Sequence, residues 1–291
     1  MSMRFSPSLP CKAIVIFDID GVVRDVGQSY RRALADTVEH YTQGAYRPTQ
    51  EDIDRLKAEG IWNNDWRGSQ ELTYRYWESQ GRSRESLALD YDELVDFFQR
   101  RYRGQNLEDP QQWDGYISQE PLLMQRSYVQ SLAEAGYAWG FFSGATRGSA
   151  LYVLTQRLEL EHPPLVAMGD APDKPDPTGL FQVVQGLEQE YNLPPHTLPV
   201  VYAGDTVADL YTVNQAREKM PERQWVGVGV LPPHVQSPPV LQGGSAAEVS
   251  PRQTAYTQAL KTAGAETIVA NIEELNPQQL AILCNNRSSV A

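Results

Sequence analysis

Uninterrupted apolar runs of strand length, separated by polar and amphipathic segments, lie towards the two ends of this chain. Each run is rich in β-branched or aromatic residues and closes on Gly or a polar side chain, which is typical of a buried strand. The predicted strands cover residues 13–17, 138–142, 198–203, 224–230 and 267–269. Continuous apolar strands indicate helices on both faces of the sheet. With helices predicted over 253–262 and from Pro277, the fold class is α/β, a doubly wound parallel sheet.

The middle of the chain has a different pattern, because strand-like runs stop after residue 24 and resume near residue 138. Apolar side chains there recur at helical spacing with a polar reverse side over residues 29–41, 69–80 and 92–102. Amphipathic helices without strands pack as a bundle. The predicted core comprises residues 11–24 and 119–291. The predicted helical domain is inserted at residues 25–118, and a Pro/Gly-rich loop lies within the core at residues 231–251.

Two carboxylates directly follow the first predicted strand, in the order Asp18-Ile19-Asp20-Gly21. Ligands of open α/β sheets bind just beyond the carboxyl ends of the strands. Like charges this close are unfavourable unless a cation or a proton separates them. Mg²⁺ is the simplest cation for such a site, since it prefers hard oxygen ligands. The alternative interpretation is that both Asp residues only cap the following turn.

A hydroxyl and a glycine follow the second predicted strand, in Ser143-Gly144-Ala145. The Ser143 hydroxyl and the backbone N–H groups of Gly144 and Ala145 can hold an anion at a predicted helix start. An ordinary helix N-cap is the equally good alternative. Lys174 lies in the segment 173–177, whose prolines stiffen the backbone and so favour a point charge for a phosphoryl group. A solvated surface lysine is the alternative.

Gly204-Asp205 follows the strand predicted at 198–203, and Asp209 comes four residues later at the opening of a helix. Asp205 can complete a metal site at the strand end, and Asp209, one helical turn on, can face the same side. Acidic residues also stabilise helix N-termini for structural reasons alone.

In this order the four motifs resemble those of the haloacid dehalogenase superfamily, whose members are mostly Mg²⁺-dependent phosphotransferases. The resemblance covers residues 11–24 and roughly 120–230, with a continuation to about 285. It implies the superfamily's α/β core, and the helical insert after the first motif is similar to the cap of the phosphoglycolate phosphatase and β-phosphoglucomutase group. An unrelated inserted domain is the alternative for the insert.

The resemblance also implies roles for the motif residues. Asp18 would be the nucleophile that becomes an aspartyl-phosphate, and Asp20 the general acid and base. Asp18, Asp205 and the backbone carbonyl of Asp20 would hold Mg²⁺. Ser143 would bind a phosphoryl oxygen, Lys174 would balance charge at the nucleophile, and Asp209 would hold Lys174 or a metal-bound water. Arg24 and Arg147 are candidates for pairing with a second anionic group on the substrate.

Composition narrows the set of partners. The formal net charge of −12 argues against nucleic acids and anionic membranes, whereas a small phosphorylated metabolite fits a local Mg²⁺ and lysine. Cys11 and Cys284 make a poor disulfide framework and favour a cytoplasmic chain. The spacing of the histidines does not match that of a zinc site. No apolar stretch is long enough to span a membrane. The first ten residues are too polar, and too interrupted by proline, for a signal sequence.

The sequence thus predicts a Mg²⁺-dependent phosphatase that acts on a small phosphate monoester, as a monomer or homodimer. A phosphomutase on the same core is the nearest alternative. A 2-haloacid dehalogenase is disfavoured, because that chemistry needs no acid/base carboxylate at Asp20. A non-catalytic protein that binds a phosphorylated metabolite is the alternative outside enzymology.

Overall fold

The computed structural model describes residues 10–57, 59, 61–62, 64–236 and 249–285. These residues form two compact units. The chain of the first runs up to Asp25 and resumes at Leu122, and the second spans Val26–Pro121. Among the helices within the described residues, none has the length and apolar character needed to cross a membrane.

The first unit is built on a parallel sheet, which has six strands within the described residues. Its strand order is β3-β2-β1-β4-β5-β6. The strands are β1 (Ala13–Phe17), β2 (Tyr137–Thr146), β3 (Leu165–Met168), β4 (Val200–Gly204), β5 (Trp225–Val230) and β6 (Thr267–Val269). Because β1 lies between β2 and β4, the chain reverses its direction of progress across the sheet at β1. Ligand sites of such folds lie at this switch point, beyond the carboxyl ends of the strands.

Helices alternate with the strands of this unit. They are α5 (Arg126–Glu134), α6 (Arg147–Leu151), α7 (Thr178–Glu190), α8 (Val207–Lys219), α9 (Pro251–Thr262) and α10 (Pro277–Asn285). Successive residues of β1 enter different cores, because side chains alternate across a strand. Val15 and Phe17 pack with residues of α5 and α10, whereas Ile14 and Ile16 pack with residues of α7 and α8. Both faces of the sheet are therefore covered, as a doubly wound fold requires.

The second unit is helical within its described residues. Its helices are α1 (Tyr30–Tyr41), α2 (Gln50–Lys57), α3 (Asp65–Ser79) and α4 (Tyr91–Tyr102). Each helix buries one apolar stripe, which includes Leu34 and Val38 in α1, Leu72 in α3 and Phe98 in α4. The aromatic rings of Tyr30 and Tyr102 stack with their centroids 4.0 Å apart, joining α1 to α4.

The α/β fold class predicted from the sequence is confirmed by this sheet and its helices. Two local boundaries differ from the predicted ones. The helix predicted directly after Ser143 begins only at Arg147, because β2 continues to Thr146. The loop predicted at 231–251 ends one residue earlier, since Ser250 caps α9 and Pro251 is its first residue. Residues 237–248 of that loop lie outside the described residues. The predicted domain bounds and the cap role of the helical unit stay predictions.

Candidate active site

Asp18 lies directly beyond β1, at the carboxyl edge of the sheet. Its backbone N–H donates to the carbonyl of Ala203 at 2.9 Å, which ties it to the end of β4. Its Oδ1 accepts a hydrogen bond from the N–H of Ile19 at 2.7 Å. The side chain is 9% exposed. Asp18 is therefore a nearly buried carboxylate at the switch point of the sheet, and backbone groups of Ala203 and Ile19 fix its position.

Lys174 reaches this edge from the loop between β3 and α7. Its Nζ lies 3.0 Å from Asp18 Oδ2 and 2.6 Å from Asp209 Oδ1. The ammonium also lies 5.2 Å from the ring centroid of Phe142 and 5.5 Å from that of Tyr202, within the range of a cation–π interaction. Two carboxylates and two aromatic rings thus fix a single positive charge beside Asp18.

Asp209 lies in the first turn of α8 and is held by both of its oxygens. Oδ2 accepts hydrogen bonds from the N–H of Thr206 at 3.0 Å and from its hydroxyl at 2.7 Å. Oδ1 binds Lys174 and lies 2.9 Å from the Tyr202 hydroxyl, which is also 3.1 Å from the carbonyl oxygen of Phe142. With four protein groups on its two oxygens and no exposed side-chain surface, Asp209 is suited to holding Lys174 rather than to direct metal ligation.

Asp205 follows β4 and lies beside the loop that contains Gly21. Its carbonyl oxygen accepts a hydrogen bond from the Tyr256 hydroxyl at 2.8 Å. Gly21 packs so closely against this residue that a Cβ at Gly21 would lie 2.5 Å from Asp205 Cγ. The glycine also has a positive φ of 75°, which few other residues adopt without strain. Only glycine therefore suits the loop that follows Asp18.

The acidic cluster is short of positive charge. Burial raises the pKa of Asp18 to about 6, although the Lys174 ammonium opposes this shift. Burial, with the carboxylates of Asp209 and Asp18, also raises the pKa of Asp205 well above its ordinary value. Burial acts in the same sense on Asp209, but Lys174 and the Thr206 donors outweigh it and lower the pKa. Burial lowers the pKa of Lys174, but the carboxylates of Asp18 and Asp209 outweigh it and raise this pKa.

These residues fit a divalent cation. Asp18, Asp205 and Asp209 each offer an oxygen within 4.8 Å of the others. Ionisation of Asp18 and Asp205 is disfavoured in the protein alone, so an added positive charge would favour their charged forms. Carboxylate oxygens are ligands that Mg²⁺ prefers. Asp209 has no exposed side-chain surface and its oxygens already contact four protein groups, whereas those of Asp18 contact two, so Asp18 and Asp205 are the better-placed side chains to hold the ion.

Ser143 lies at the same edge, because β2 is the other neighbour of β1 and pairs Phe141 with Phe17. Its side chain is buried, and its Oγ accepts the N–H of Ala145 at 3.1 Å. That N–H is therefore used inside the loop, whereas Gly144 is exposed. The hydroxyl and the Gly144 N–H remain the better candidates for an anion contact, and the predicted role of Ala145 has no support in this geometry.

The two arginines predicted to contact substrate are both engaged elsewhere. Arg24 has no exposed surface and donates from Nε to Asp20 Oδ1 at 2.7 Å. Arg147 forms an ion pair with Asp170, and half of its side chain is exposed. Neither geometry supports the prediction that these arginines bind substrate.

Two side chains of the site were missed by sequence reasoning. Thr206 and Asp209 form a capping box at the start of α8, and its sequence signature is visible as Thr-x-x-Asp before an apolar helix. Tyr202 has only a weak signal, a single hydroxyl in an otherwise apolar strand. A buried tyrosine usually finds a hydrogen-bond partner, but its identity depends on the fold.

The amino-acid sequence of the chain is similar to those of known proteins. Residues 12–217 match the family model of haloacid dehalogenase-like hydrolases. A curated relative, the imidazoleglycerol-phosphate dehydratase of Phytophthora nicotianae, is 28% identical over 240 residues, which are 82% of this chain and 47% of the relative. The chain thus spans about half the length of this relative.

Solved structures are similar in fold. A phosphonoacetaldehyde hydrolase-like protein from Oleispira antarctica superposes with a TM-score of 0.65 at 17% identity, covering 98% of this chain and 99% of the other. Phosphatase Tt82 from Thermococcus thioreducens superposes with a TM-score of 0.55 at 22% identity, covering 74% of this chain and 92% of the other. Identities this low show a shared fold alone.

Proposed function

The chain belongs to the haloacid dehalogenase-like hydrolases, and from this premise we propose that it is a Mg²⁺-dependent phosphatase that hydrolyses a small phosphate monoester through Asp18. The observation that carries the proposal is the linked set Asp18–Lys174–Asp209, with separations of 3.0 and 2.6 Å, at the carboxyl edge of the sheet. Phosphoryl transfer needs in-line positioning and neutralised charge more than covalent work by the protein, and this set places a carboxylate nucleophile beside a fixed positive charge.

In the first half-reaction a carboxylate oxygen of Asp18 attacks phosphorus, and the bond from phosphorus to the leaving oxygen breaks. The protonated carboxyl of Asp20 gives its proton to that oxygen, so that an alcohol leaves. Lys174, beside Asp18, neutralises charge on the transferring group as a point charge. The Ser143 hydroxyl and the Gly144 N–H hold phosphoryl oxygens.

In the second half-reaction the carboxylate of Asp20 takes a proton from water, whose oxygen attacks phosphorus. The bond between phosphorus and Asp18 breaks, which releases inorganic phosphate and restores both aspartates. Splitting one difficult displacement into two easier ones is the usual advantage of a covalent intermediate.

Asp18, Asp205 and the backbone carbonyl of Asp20 would hold Mg²⁺. When bound, the ion would supply positive charge that offsets the phosphoryl oxygens and favours the ionised form of Asp18. Asp209 contributes indirectly, because its two oxygens fix Lys174 and the start of α8.

The test is release of inorganic phosphate from a panel of phosphate monoesters, with Mg²⁺ or with EDTA. The panel includes sugar phosphates, hydroxy-acid phosphates, amino-alcohol phosphates and imidazole-bearing alcohol phosphates, since the matched dehydratase is named for imidazoleglycerol phosphate. We expect turnover that requires Mg²⁺ and falls more than about 10³-fold in Asp18→Asn, as for loss of a covalent nucleophile. Asp173→Asn, the same change at an exposed aspartate of this unit, should retain activity.

Other outcomes identify the alternatives. Interconversion of phosphate isomers that depends on a bisphosphate activator would support a phosphomutase. Halide release from 2-haloacids would support a dehalogenase. Tight binding of a phosphorylated metabolite without turnover would support a binding protein, and full activity of Asp18→Asn would refute the proposed nucleophile.

A further inference from the structure

We propose that Arg24 is a positioning residue that orients the carboxyl group of Asp20 for proton transfer. The inference rests on the proposed phosphatase function and deepens it. It also replaces the expectation that this arginine pairs with an anionic group on the substrate.

A tight turn brings residue 24 back beside residue 20. The N–H of Gly21 donates to the carbonyl of Arg24 at 2.9 Å, and the N–H of Arg24 donates to the carbonyl of Ile19 at 3.2 Å. Backbone bridges pair residue 24 with Asp20 and with Leu122. Backbone hydrogen bonds alone therefore hold residue 24 beside the loop that contains Asp20.

The guanidinium group is held at two further points. Its Nε donates to Asp20 Oδ1 at 2.7 Å, and its Nη2 donates to the hydroxyl of Ser149 at 3.0 Å. Ser149 lies in α6, directly after strand β2 that carries Ser143, and is itself fully buried. The side chain of Arg24 therefore links the loop that carries Asp20 to the helix that follows β2.

Burial distinguishes the two partners of this ion pair. The Arg24 side chain is 0% exposed, whereas that of Asp20 is 31% exposed. A guanidinium without exposed surface is not offered to a substrate, and burying it is costly unless its hydrogen bonds are made. The planar fork of an arginine also fixes the direction of the group that it binds. The arrangement is that of an internal support for an acid that itself reaches solvent.

The contact is compatible with both protonation states that the mechanism requires. Oδ1 of Asp20 can accept the Arg24 N–H whether the carboxyl group is ionised or protonated. Oδ2 is then the oxygen that we assign to carrying the proton to the leaving alcohol and taking one from water. Without Arg24, rotation of the carboxyl group would spread the proton over positions from which transfer is slow.

The experiment uses leaving groups of graded basicity. For wild type and Arg24→Met, kcat/KM is measured in Mg²⁺ with phosphate monoesters that range from acidic nitrophenols to simple alcohols. A nitrophenolate departs without a proton, whereas an alcohol needs one, so only the latter depends on the general acid. The slope of log kcat/KM against leaving-group pKa therefore isolates proton transfer from general loss of structure. Asp20→Asn provides the slope without a general acid.

We expect Arg24→Met to lower kcat/KM at least about tenfold for alkyl phosphates and less than about threefold for nitrophenyl phosphate. The loss for alkyl phosphates would be a part of the whole contribution of general acid catalysis. Its slope should fall between those of wild type and Asp20→Asn. Arg126→Met, which breaks an exposed ion pair with Glu159 in the same unit, should keep the wild-type slope. An equal loss for every leaving group would overturn the assignment and leave a structural role.

A second variant keeps the inference testable if Arg24→Met does not fold. Ser149→Ala removes one anchor of the guanidinium and preserves its charge, and we expect a smaller steepening in the same direction. A wild-type slope in Ser149→Ala would then overturn the inference. The two proposals fail in different ways, because wild-type protein that hydrolyses no phosphate ester refutes the phosphatase, whereas active protein with an unchanged slope refutes only the role of Arg24.

Discussion

Replacing Gly21 by alanine should displace Asp205 and weaken the proposed metal site. A Cβ at this position would lie 2.2 Å from Oδ2 and 2.5 Å from Cγ of Asp205, whereas ordinary contacts begin at 3.4 Å. One of the two groups must therefore move by about 1 Å. Asp205 is the group that yields, because Gly21 is held by its backbone hydrogen bond to Arg24.

The size of the effect follows from this displacement. A misplacement of about 1 Å in a catalytic constellation costs about 10²-fold in rate, so we expect Gly21→Ala to lose about that factor in kcat. A higher Mg²⁺ concentration should be needed for half-maximal activity, since Asp205 is a proposed ligand. The positive φ of 75° adds a folding cost of about 1–2 kcal/mol for a residue with a Cβ.

Gly81→Ala is the matched control. Gly81 has a φ of 81°, and a Cβ added there would meet no atom within 4 Å, so this variant has the same backbone cost without the collision. Steady-state phosphate release across a Mg²⁺ titration, together with melting temperatures, compares the two proteins. Similar melting temperatures with a selective loss of activity in Gly21→Ala would support the reasoning. Wild-type kcat and Mg²⁺ dependence in folded Gly21→Ala would refute it.

Two further predictions concern stability. Tyr202→Phe removes the hydroxyl 2.9 Å from Asp209 Oδ1, and thermal unfolding should show a loss of about 1–2 kcal/mol, as for a buried hydrogen bond to a charged group. Glu71→Gln weakens hydrogen bonds from Arg75 and Arg84 and should cost about 2 kcal/mol at neutral pH. Burial raises the pKa of Glu71, but the two arginines outweigh it and leave the pKa below its ordinary value of 4.5. The carboxylate therefore contributes fully above the pKa of the unfolded chain, and urea unfolding should show the deficit of Glu71→Gln shrinking as pH falls through the folded-state pKa.

Controls for these variants come from exposed positions. Tyr211 is 46% exposed, so Tyr211→Phe should leave the melting temperature near that of wild type. Asp96 forms an exposed pair with Arg100, and Asp96→Asn should change stability by less than about 1 kcal/mol. A stability deficit of Glu71→Gln that stays constant as the pH falls would contradict the link between the Glu71 pKa and stability. An unchanged melting temperature of Tyr202→Phe would contradict a stabilising hydrogen bond from Tyr202 to Asp209.

Much of the fold could be read from local patterns. The apolar run 13–17 is β1 to the residue, and the strand predicted at 224–230 ends with β5 at Val230 although β5 begins one residue later. The helical spacing that ends at Tyr41 and Tyr102 ends two helices there. These elements are strongly periodic, and their burial in the folded protein agrees with their own local preference. The strand Leu165–Met168 was not predicted, because four residues carry too short a pattern to separate from a loop.

The meeting of distant motifs also followed from a general rule. Polar residues after parallel strands share one edge of the sheet, and β1 lies between β2 and β4. Asp18, Lys174, Asp205 and Asp209 accordingly lie together. Their catalytic roles stay predictions that the proposed experiments test.

The amino-acid sequence by itself determined where the strands end and which polar side chains follow them, because those properties depend on residue type and short-range periodicity. The tertiary structure decided how each side chain is used. Arg24 is buried and donates to Asp20, and another of its contacts is the hydroxyl of Ser149, 125 residues away along the chain. Asp209 binds Lys174 and Tyr202 because three separate loops and strands meet there. Such partners are set by packing across the sheet, and no local pattern encodes them.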